Sequence, residues 1–233
     1  MSVATSTRAV VFDFDGVIAN SEPLHFLGFR DVLAGEGIEL SEAEYYARYL
    51  GYDDAGAFFA VAADRGVSLP STRIVELIRR KAVRLEELEQ QRSVLFPGAA
   101  DLIRHLAASC PLAIASGAIR PEIERVLDRE GLAAHFRTIV AAGETPASKP
   151  APDPYARAVL LLGSAIGSTL EPRECVAIED SRWGIESART AGLRTIAVAH
   201  TYPVAALDAD AVVADLAALS WEFVCSVGLP RDE

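Results

Sequence analysis

The sequence predicts an α/β fold, a doubly wound parallel sheet with helices on both faces. Five short segments are apolar and rich in Val, Ile and Ala, which is the composition of parallel strands buried on both faces. Helical patterns separate the later segments and stop at glycines, and this alternation is typical of a parallel sheet. Residues 22–93 break the alternation, because they contain several amphipathic helical patterns and no convincing strand. We therefore predict a Rossmann-like core with an α-helical cap inserted after the first strand.

The predicted elements follow one another in a simple order. The strands cover residues 8–13, 111–115, 138–142, 175–179 and 194–199. The core helices cover residues 98–108, 121–130, 153–162 and 184–191, and the last three stop at Gly131, Gly163 and Gly192. The clearest cap helix covers residues 71–91, and aromatic residues at helical spacing are expected in the cap's core: Tyr45, Tyr46, Tyr49, Phe58 and Phe59. We expect residues 1–20 and 94–233 to form the catalytic core and residues 21–93 the cap domain.

The acidic composition narrows the classes of partner. The chain has 22 Lys and Arg against 33 Asp and Glu, a net charge of -11 that repels nucleic acid and anionic membranes. The first residues lack the apolar stretch of a signal peptide, and no apolar run is long enough to span a membrane. Three widely spaced cysteines without metal-binding spacing are expected to be reduced. We expect a cytoplasmic protein that is a monomer or weak dimer.

Polar residues and glycines follow four of the predicted strands. They are Asp13, Asp15 and Gly16 after the first strand, Ser116 and Gly117 after the second, Lys149 beyond the third, and Glu179 and Asp180 at the end of the fourth. In an open parallel sheet these strand ends share one edge, where ligands bind. An insertion directly after the first strand would cover that edge, and helical lids of this kind exclude water and select substrates.

Several carboxylates at one edge repel each other unless a cation lies among them. Mg²⁺ suits a site with a few carboxylates, waters and a phosphate oxygen. A phosphate would then find the metal, the Lys149 ammonium, the Ser116 hydroxyl and the backbone N–H groups around Gly16 and Gly117. The helix that begins at Pro121 adds its positive dipole end. The pattern predicts a small phosphorylated metabolite as the ligand.

Four motifs carry a family resemblance: DFDGVIANSEPLH, SGA, SKPAPDPY and IEDSRWGIESARTAG. In this order and spacing they resemble the signature motifs of the haloacid dehalogenase superfamily of phosphotransferases. The most similar branch contains beta-phosphoglucomutase and phosphoglycolate phosphatase-like enzymes, which carry a helical cap after the first motif. The resemblance spans about the whole chain, residues 8–200 most firmly, and the four motifs together are far more specific than DxDG alone.

The resemblance implies a role for each motif residue. Asp13 would attack phosphorus and form an aspartyl-phosphate, and Asp15 would act as general acid and then base. Mg²⁺ would be held by the Asp13 carboxylate, the Asp15 backbone carbonyl, Asp180 and its neighbour Glu179. Ser116 and Lys149 would bind the transferring oxygens.

Each of these residues also has an ordinary structural interpretation when it is taken alone. Asp13 to Gly16 could be a turn, Ser116-Gly117 a strand-to-helix connection, and Lys149 a solvated loop residue. Ser181 after Asp180 is expected to cap a helix. The shared location on one sheet edge favours the functional interpretation.

Cap residues and Trp183 are candidates for substrate selection. His25 has the spacing of a histidine near the leaving group in this branch, although packing on an apolar helix explains it equally well. Lys81 matches a cap lysine of the branch, but its arginine neighbours make a solvated charged face equally plausible. Trp183 could form a wall of the pocket or pack against the cap hinge. Gly51 and Asp54, which lie in the predicted cap, are further candidates for contact with the substrate.

The reaction is predicted to be hydrolysis of a sugar or polyol phosphate. In the mutase a cap arginine binds the substrate's distal phosphate, whereas this chain has Gly51-Tyr52-Asp53-Asp54 at that stretch. Two acidic residues would repel a second phosphate, which favours a phosphatase with an uncharged or cationic leaving group. A mutase stays the alternative, and a non-catalytic binding protein that retains the fold is the alternative of another class. Asp15 counts against a dehalogenase, which needs no second acid in the first motif.

Overall fold

The computed structural model describes residues 6–50, 52, 54–91 and 93–228. The chain divides into two compact units, the first made of Met1–Asn20 with Leu95–Glu233 and the second of Ser21–Val94. Within the described residues, no helix is both long enough and apolar enough to cross a membrane. The three cysteines, Cys110, Cys175 and Cys225, are free.

The first unit is built on a six-stranded sheet. The strands are β1 (Ala9–Phe12), β2 (Leu112–Ala115), β3 (Phe136–Val140), β4 (Cys175–Glu179), β5 (Arg194–Val198) and β6 (Ala211–Val213). Their order is β3-β2-β1-β4-β5-β6, and every neighbouring pair is parallel. Both faces of β1, β2 and β4 are buried, which is why these strands are apolar at every position. The predicted doubly wound parallel fold is confirmed, and β6 is an addition to it.

Among its described residues, the second unit contains four helices: α1 (Glu22–Ala34), α2 (Glu42–Arg48), α3 (Asp54–Asp64) and α4 (Ser71–Gln91). Their apolar faces enclose a core of their own, in which Tyr45, Tyr49 and Phe58 are buried. The prediction for the other two aromatics was wrong, since Tyr46 is 37% exposed and Phe59 is 45% exposed. They are direct neighbours of buried Tyr45 and Phe58, and adjacent residues of a helix lie about 100° apart around its axis.

The core helices are α5 (Ala99–Ala107), α6 (Arg120–Arg129), α7 (Asp153–Ala165), α8 (Arg182–Thr190) and α9 (Trp221–Ser226). Ser181 caps α8 as predicted, because its hydroxyl accepts a hydrogen bond from the Gly184 N–H at 3.1 Å. Helix α7 continues through Gly163, where the sequence pattern predicted its end. A β-carbon at this position would lie 2.9 Å from the Ser168 carbonyl oxygen, so the glycine permits close packing rather than stopping the helix.

Candidate active site

The Asp13–Gly16 segment lies directly beyond β1, between the ends of β2 and β4. The Asp13 N–H donates to the Ile178 carbonyl at 2.9 Å, which continues the pairing of β1 with β4. Asp13 and Phe14 are buried, whereas Asp15 is exposed. Gly16 has a φ of +79°, and a β-carbon there would lie 2.0 Å from Oδ2 of Asp180. The loop therefore passes so close to Asp180 that only glycine fits.

Lys149 forms ion pairs with carboxylates at the ends of the first and fourth strands. Its Nζ donates to Oδ1 of Asp13 at 2.7 Å and to Oε1 of Glu179 at 2.6 Å. Only 14% of the Lys149 side chain is exposed, which excludes the solvated loop lysine considered above. The ammonium also lies 5.0 Å from the centre of the Tyr155 ring. A buried cation thus holds the proposed nucleophile and the carboxylate of Glu179 together.

Glu179 is fully buried, and its carboxylate is bonded on both oxygens. The Tyr155 hydroxyl donates to Oε1 at 2.8 Å, beside Lys149. Oε2 accepts from the backbone N–H of Asp180 at 3.1 Å and from the hydroxyl of Ser181 at 3.1 Å. Gly184 leaves the space for this carboxylate, because a β-carbon there would lie 1.7 Å from Oε1. These contacts fix the orientation of Glu179 at the end of β4.

The electrostatics of the cluster indicate a place for a cation. Burial, followed by the charge of Glu179, raises the pKa of Asp13 well above its usual value, against the opposing effect of Lys149. Burial also raises the pKa of Asp180 to about 6, despite a hydrogen bond from Thr201 that lowers it. For Lys149, burial lowers the pKa, but the charges of Asp13 and Glu179 outweigh it and raise the pKa overall.

The donor set fits Mg²⁺. One carboxylate oxygen each of Asp13, Glu179 and Asp180 lies within 4.8 Å of the other two. Carboxylate oxygens are the ligands that this hard cation prefers, and a bound cation would offset the burial and the carboxylate repulsion that raise the pKa of Asp13 and Asp180. That these residues bind the metal stays a prediction, as does the contribution of the exposed Asp15.

Ser116 and Gly117 follow β2, the strand next to β1. Ile114 pairs with Phe12, so Ser116 lies beyond β2 at the same edge as Asp13. The buried Ser116 hydroxyl accepts from the Ala118 N–H at 3.0 Å, which leaves its proton available to donate. Helix α6 begins close by, one residue before Pro121. Phosphate binding by Ser116, Gly117 and Gly16 stays a prediction.

Sequence reasoning missed three residues around this cluster: Tyr155, His200 and Thr201. Tyr155 was treated only as part of a motif, although its place on α7 beyond the Lys149 loop turns it toward β4. His200 and Thr201 follow β5. Polar residues at the carboxyl end of a parallel strand are the signal that predicted the other four groups, and the same signal is present at this fifth strand. His200 Nδ1 lies 2.8 Å from the Gly16 carbonyl oxygen.

In the second unit, three of the predicted cap residues lie together. Lys81 is 1% exposed, is ion-paired with Asp54, and has its Nζ 2.9 Å from Nδ1 of His25. The suggestion of a solvated face for Lys81 was therefore wrong. An ammonium can only donate, so Nδ1 of His25 accepts and its other ring nitrogen carries the proton. Gly51 and Asp53 lie outside the described residues.

Trp183 lies in the first turn of α8 and is 49% exposed. The Arg182 guanidinium lies 4.8 Å from the centre of its ring, a cation–π contact. An aromatic surface is thus open to solvent immediately after the Asp180-Ser181 corner. Its predicted place in the wall of a substrate pocket stays a prediction.

Known proteins share this architecture. Residues 7–192 match the haloacid dehalogenase-like hydrolase family. Over 202 residues the chain is 34% identical to protein CbbY of Rhodobacter capsulatus, which covers 84% of this chain and 86% of the relative. It is 29% identical to hexitol phosphatase B of Escherichia coli, with 93% of each chain covered. A structure of a CbbY variant from Rhodobacter sphaeroides in complex with xylulose-(1,5)bisphosphate is similar, with a TM-score of 0.76, 26% identity, and 94% and 99% of the two chains covered.

The fold, the strand-end cluster and the match over residues 7–192 define the class of this protein. The chain belongs to the haloacid dehalogenase-like hydrolase family. The family resemblance predicted from the four motifs is thereby confirmed.

Proposed function

We propose that this protein is a Mg²⁺-dependent phosphatase that hydrolyses a small sugar or polyol phosphate through an aspartyl-phosphate on Asp13. The observation that carries the proposal is the position of Asp13, whose Oδ1 is held 2.7 Å from the Lys149 ammonium. The same carboxylate belongs to the group of oxygens that includes Asp180 and Glu179. The proposed nucleophile, a largely buried ammonium and a group of carboxylates that could hold a metal therefore lie together at one edge of the sheet, which supports the proposal.

In the first half-reaction an Asp13 oxygen forms a bond to phosphorus, and the bond from phosphorus to the substrate oxygen breaks. Asp15 gives its proton to the departing alcohol. Lys149 and the Ser116 hydroxyl hold the transferring oxygens by charge and hydrogen bonding. In the second half-reaction a water gives a proton to Asp15 and attacks phosphorus, which releases inorganic phosphate and restores Asp13. Asp13, Asp180 with its neighbour Glu179, and the Asp15 carbonyl would hold Mg²⁺, which would supply positive charge to offset the negative charge of the phosphate.

The substrate class rests on the relatives and on the cap. Hexitol phosphatase B acts, by its name, on hexitol phosphates, which supports a polyol or sugar phosphate here. The predicted repulsion of a second phosphate requires uncompensated negative charge on Asp53 and Asp54. Asp54 is instead ion-paired with buried Lys81, so its charge is largely compensated. Because a CbbY structure contains xylulose-(1,5)bisphosphate, a sugar bisphosphate is the second substrate candidate.

The test is phosphate release from a panel of sugar, hexitol and sugar bisphosphates, with Mg²⁺ and with EDTA. We expect Mg²⁺-dependent release that Asp13→Asn abolishes. Asp101→Asn is the matched control, because the Asp101 side chain is 91% exposed. Activity that survives Asp13→Asn would contradict the proposed nucleophile. Faster conversion of a hexose 1-phosphate to its 6-phosphate than to inorganic phosphate would show a mutase instead, and no turnover of any phosphate ester would favour a binding protein.

A further inference from the structure

The segment after β5 contacts the first strand's loop at the candidate active site. His200 Nδ1 lies 2.8 Å from the carbonyl oxygen of Gly16, in the loop that carries Asp15. A fifth strand end thus contributes to the edge where the first and fourth strand ends place their carboxylates.

The direction of the His200 hydrogen bond follows from its partner. A backbone carbonyl oxygen only accepts, so Nδ1 of His200 carries the proton and donates it. The ring is stacked on Phe96, with 3.9 Å between ring centroids and an interplanar angle of 16°. Phe96 in turn donates its N–H to the Ile18 carbonyl at 3.0 Å. The His200 ring is therefore oriented by Phe96, which is itself hydrogen-bonded to the segment after β1.

Gly16 is the point of the loop that most needs an external restraint. Glycine reaches many backbone conformations at similar energy, so its φ of +79° is not fixed by its own sterics. Its N–H donates to the Ala19 carbonyl at 2.9 Å, and its carbonyl accepts from His200. The bond to Ala19 holds the peptide group between Asp15 and Gly16, and the bond to His200 holds the next one, between Gly16 and Val17. Both peptide groups that flank Gly16 are thus held, and the first of them includes the carbonyl of Asp15.

We propose that His200 is a positioning residue, which uses its Nδ1 proton to hold the Gly16 carbonyl and thereby places Asp15 for proton transfer. The proposal rests on the proposed function, since it requires Asp15 to act as the general acid. It assigns His200 no contact with the substrate.

The test uses the leaving group as the readout. A p-nitrophenolate ion leaves without a proton, whereas the alkoxide of a hexitol phosphate needs one from the general acid. His200→Phe retains a ring that can stack on Phe96 but has no donor. We expect it to lower kcat/KM for sorbitol 6-phosphate on the order of tenfold or more, since small misplacements of reacting groups cost factors of this size. The loss of kcat/KM for p-nitrophenyl phosphate in the same variant should be less than about threefold. Asp15→Asn should likewise lower kcat/KM more for sorbitol 6-phosphate than for p-nitrophenyl phosphate.

Two further variants keep the test decisive. His200→Asn, which offers a side-chain N–H, should recover part of the kcat/KM that His200→Phe loses. Phe96→Leu keeps the His200 donor but removes the stacking, so it should lower kcat/KM less than His200→Phe, again more for sorbitol 6-phosphate than for p-nitrophenyl phosphate. His105→Phe is the control, because His105 is exposed on α5 and should leave both substrates unaffected. Equal losses on both substrates, or no loss, would overturn the role of His200. Activity retained by Asp13→Asn would instead overturn the proposed function.

Discussion

The Lys81–Asp54 ion pair of the cap is expected to respond very differently to the removal of its two members. Lys81 is 1% exposed, whereas 35% of the Asp54 side chain is exposed. Removing Asp54 by Asp54→Asn leaves a buried ammonium without its counterion. Removing the charge by Lys81→Met leaves a carboxylate that water can reach, and methionine can fill much of the volume of the lysine stem.

The magnitudes follow from this asymmetry. Breaking a buried ion pair by deleting one partner costs about 3–5 kcal/mol when the remaining charge stays buried, and we expect Asp54→Asn to lie in this range. Lys81→Met loses the ion pair and the contact of the ammonium with the Phe29 ring, whose centre is 4.2 Å away. Such a cation–π contact contributes about 1–2 kcal/mol, and the apolar side chain recovers part of that loss by burial. Asp54→Asn should therefore destabilise the protein by about 2 kcal/mol more than Lys81→Met.

Urea unfolding of the two single variants and of the double variant measures this difference. The double variant should be more stable than Asp54→Asn alone, because it no longer buries an unpaired charge. Asp208→Asn is the matched control, since it breaks the exposed pair with Arg189 and should cost no more than about 1 kcal/mol. The reasoning is refuted if Lys81→Met destabilises the protein as much as Asp54→Asn does.

Three further predictions concern the core unit. Gly16→Ala should abolish Mg²⁺-dependent activity, because its β-carbon would displace Asp180. Gly37→Ala is the control, since Gly37 has a similar φ of +72° but a β-carbon there would have no atom within 4 Å. It should cost only about 1 kcal/mol of stability and leave activity intact. Tyr155→Phe should lower the free energy of unfolding by about 1.5–3 kcal/mol, measured in urea, because it removes a donor to a buried carboxylate; an unchanged stability would contradict this. In EDTA, Asp180 contributes stability that is present below about pH 4 and lost as the pH rises through about 6, since its pKa is higher in the folded state. The free energy of unfolding of the wild type should thus fall by up to about 3 kcal/mol relative to that of Asp180→Asn between about pH 4 and pH 6, and Mg²⁺ should restore the lost stability. A stability difference between the two proteins that is independent of pH would contradict the raised pKa of Asp180.

The sequence predicted the parallel sheet because its central strands are buried on both faces and so are apolar at every position. It failed where that signal is weak. Strand β6 (Ala211–Val213) has three residues, two of them only partly buried, and helix α9 (Trp221–Ser226) has fewer than two turns. Helix α7 was cut short at Gly163 because a glycine that ends a helix and one that permits close packing look alike in a sequence.

The candidate site could be predicted where residue type and strand position coincide. That Asp13, Lys149 and Asp180 lie close together could be predicted, because each follows a strand of a parallel sheet and such strand ends share one edge. His200 and Tyr155 were missed, since each contacts another residue of the candidate site and neither position has a chemical signature of its own. Lys81 was misjudged from its arginine neighbours, although it continues the buried stripe of Leu77 and Leu85 along α4.

By itself, the sequence determined the order of the elements, the fold class and the strand ends at which the reactive groups lie. Local pattern is enough for these, because the burial of a strand and the start or end of a helix are set by residues close together in the chain. The tertiary structure decided how charges are paired: Lys149 with Asp13 and Glu179, and Lys81 with Asp54 and His25. Such pairs join residues 27 to 136 positions apart, and the energy of each depends on burial that only the packed fold creates.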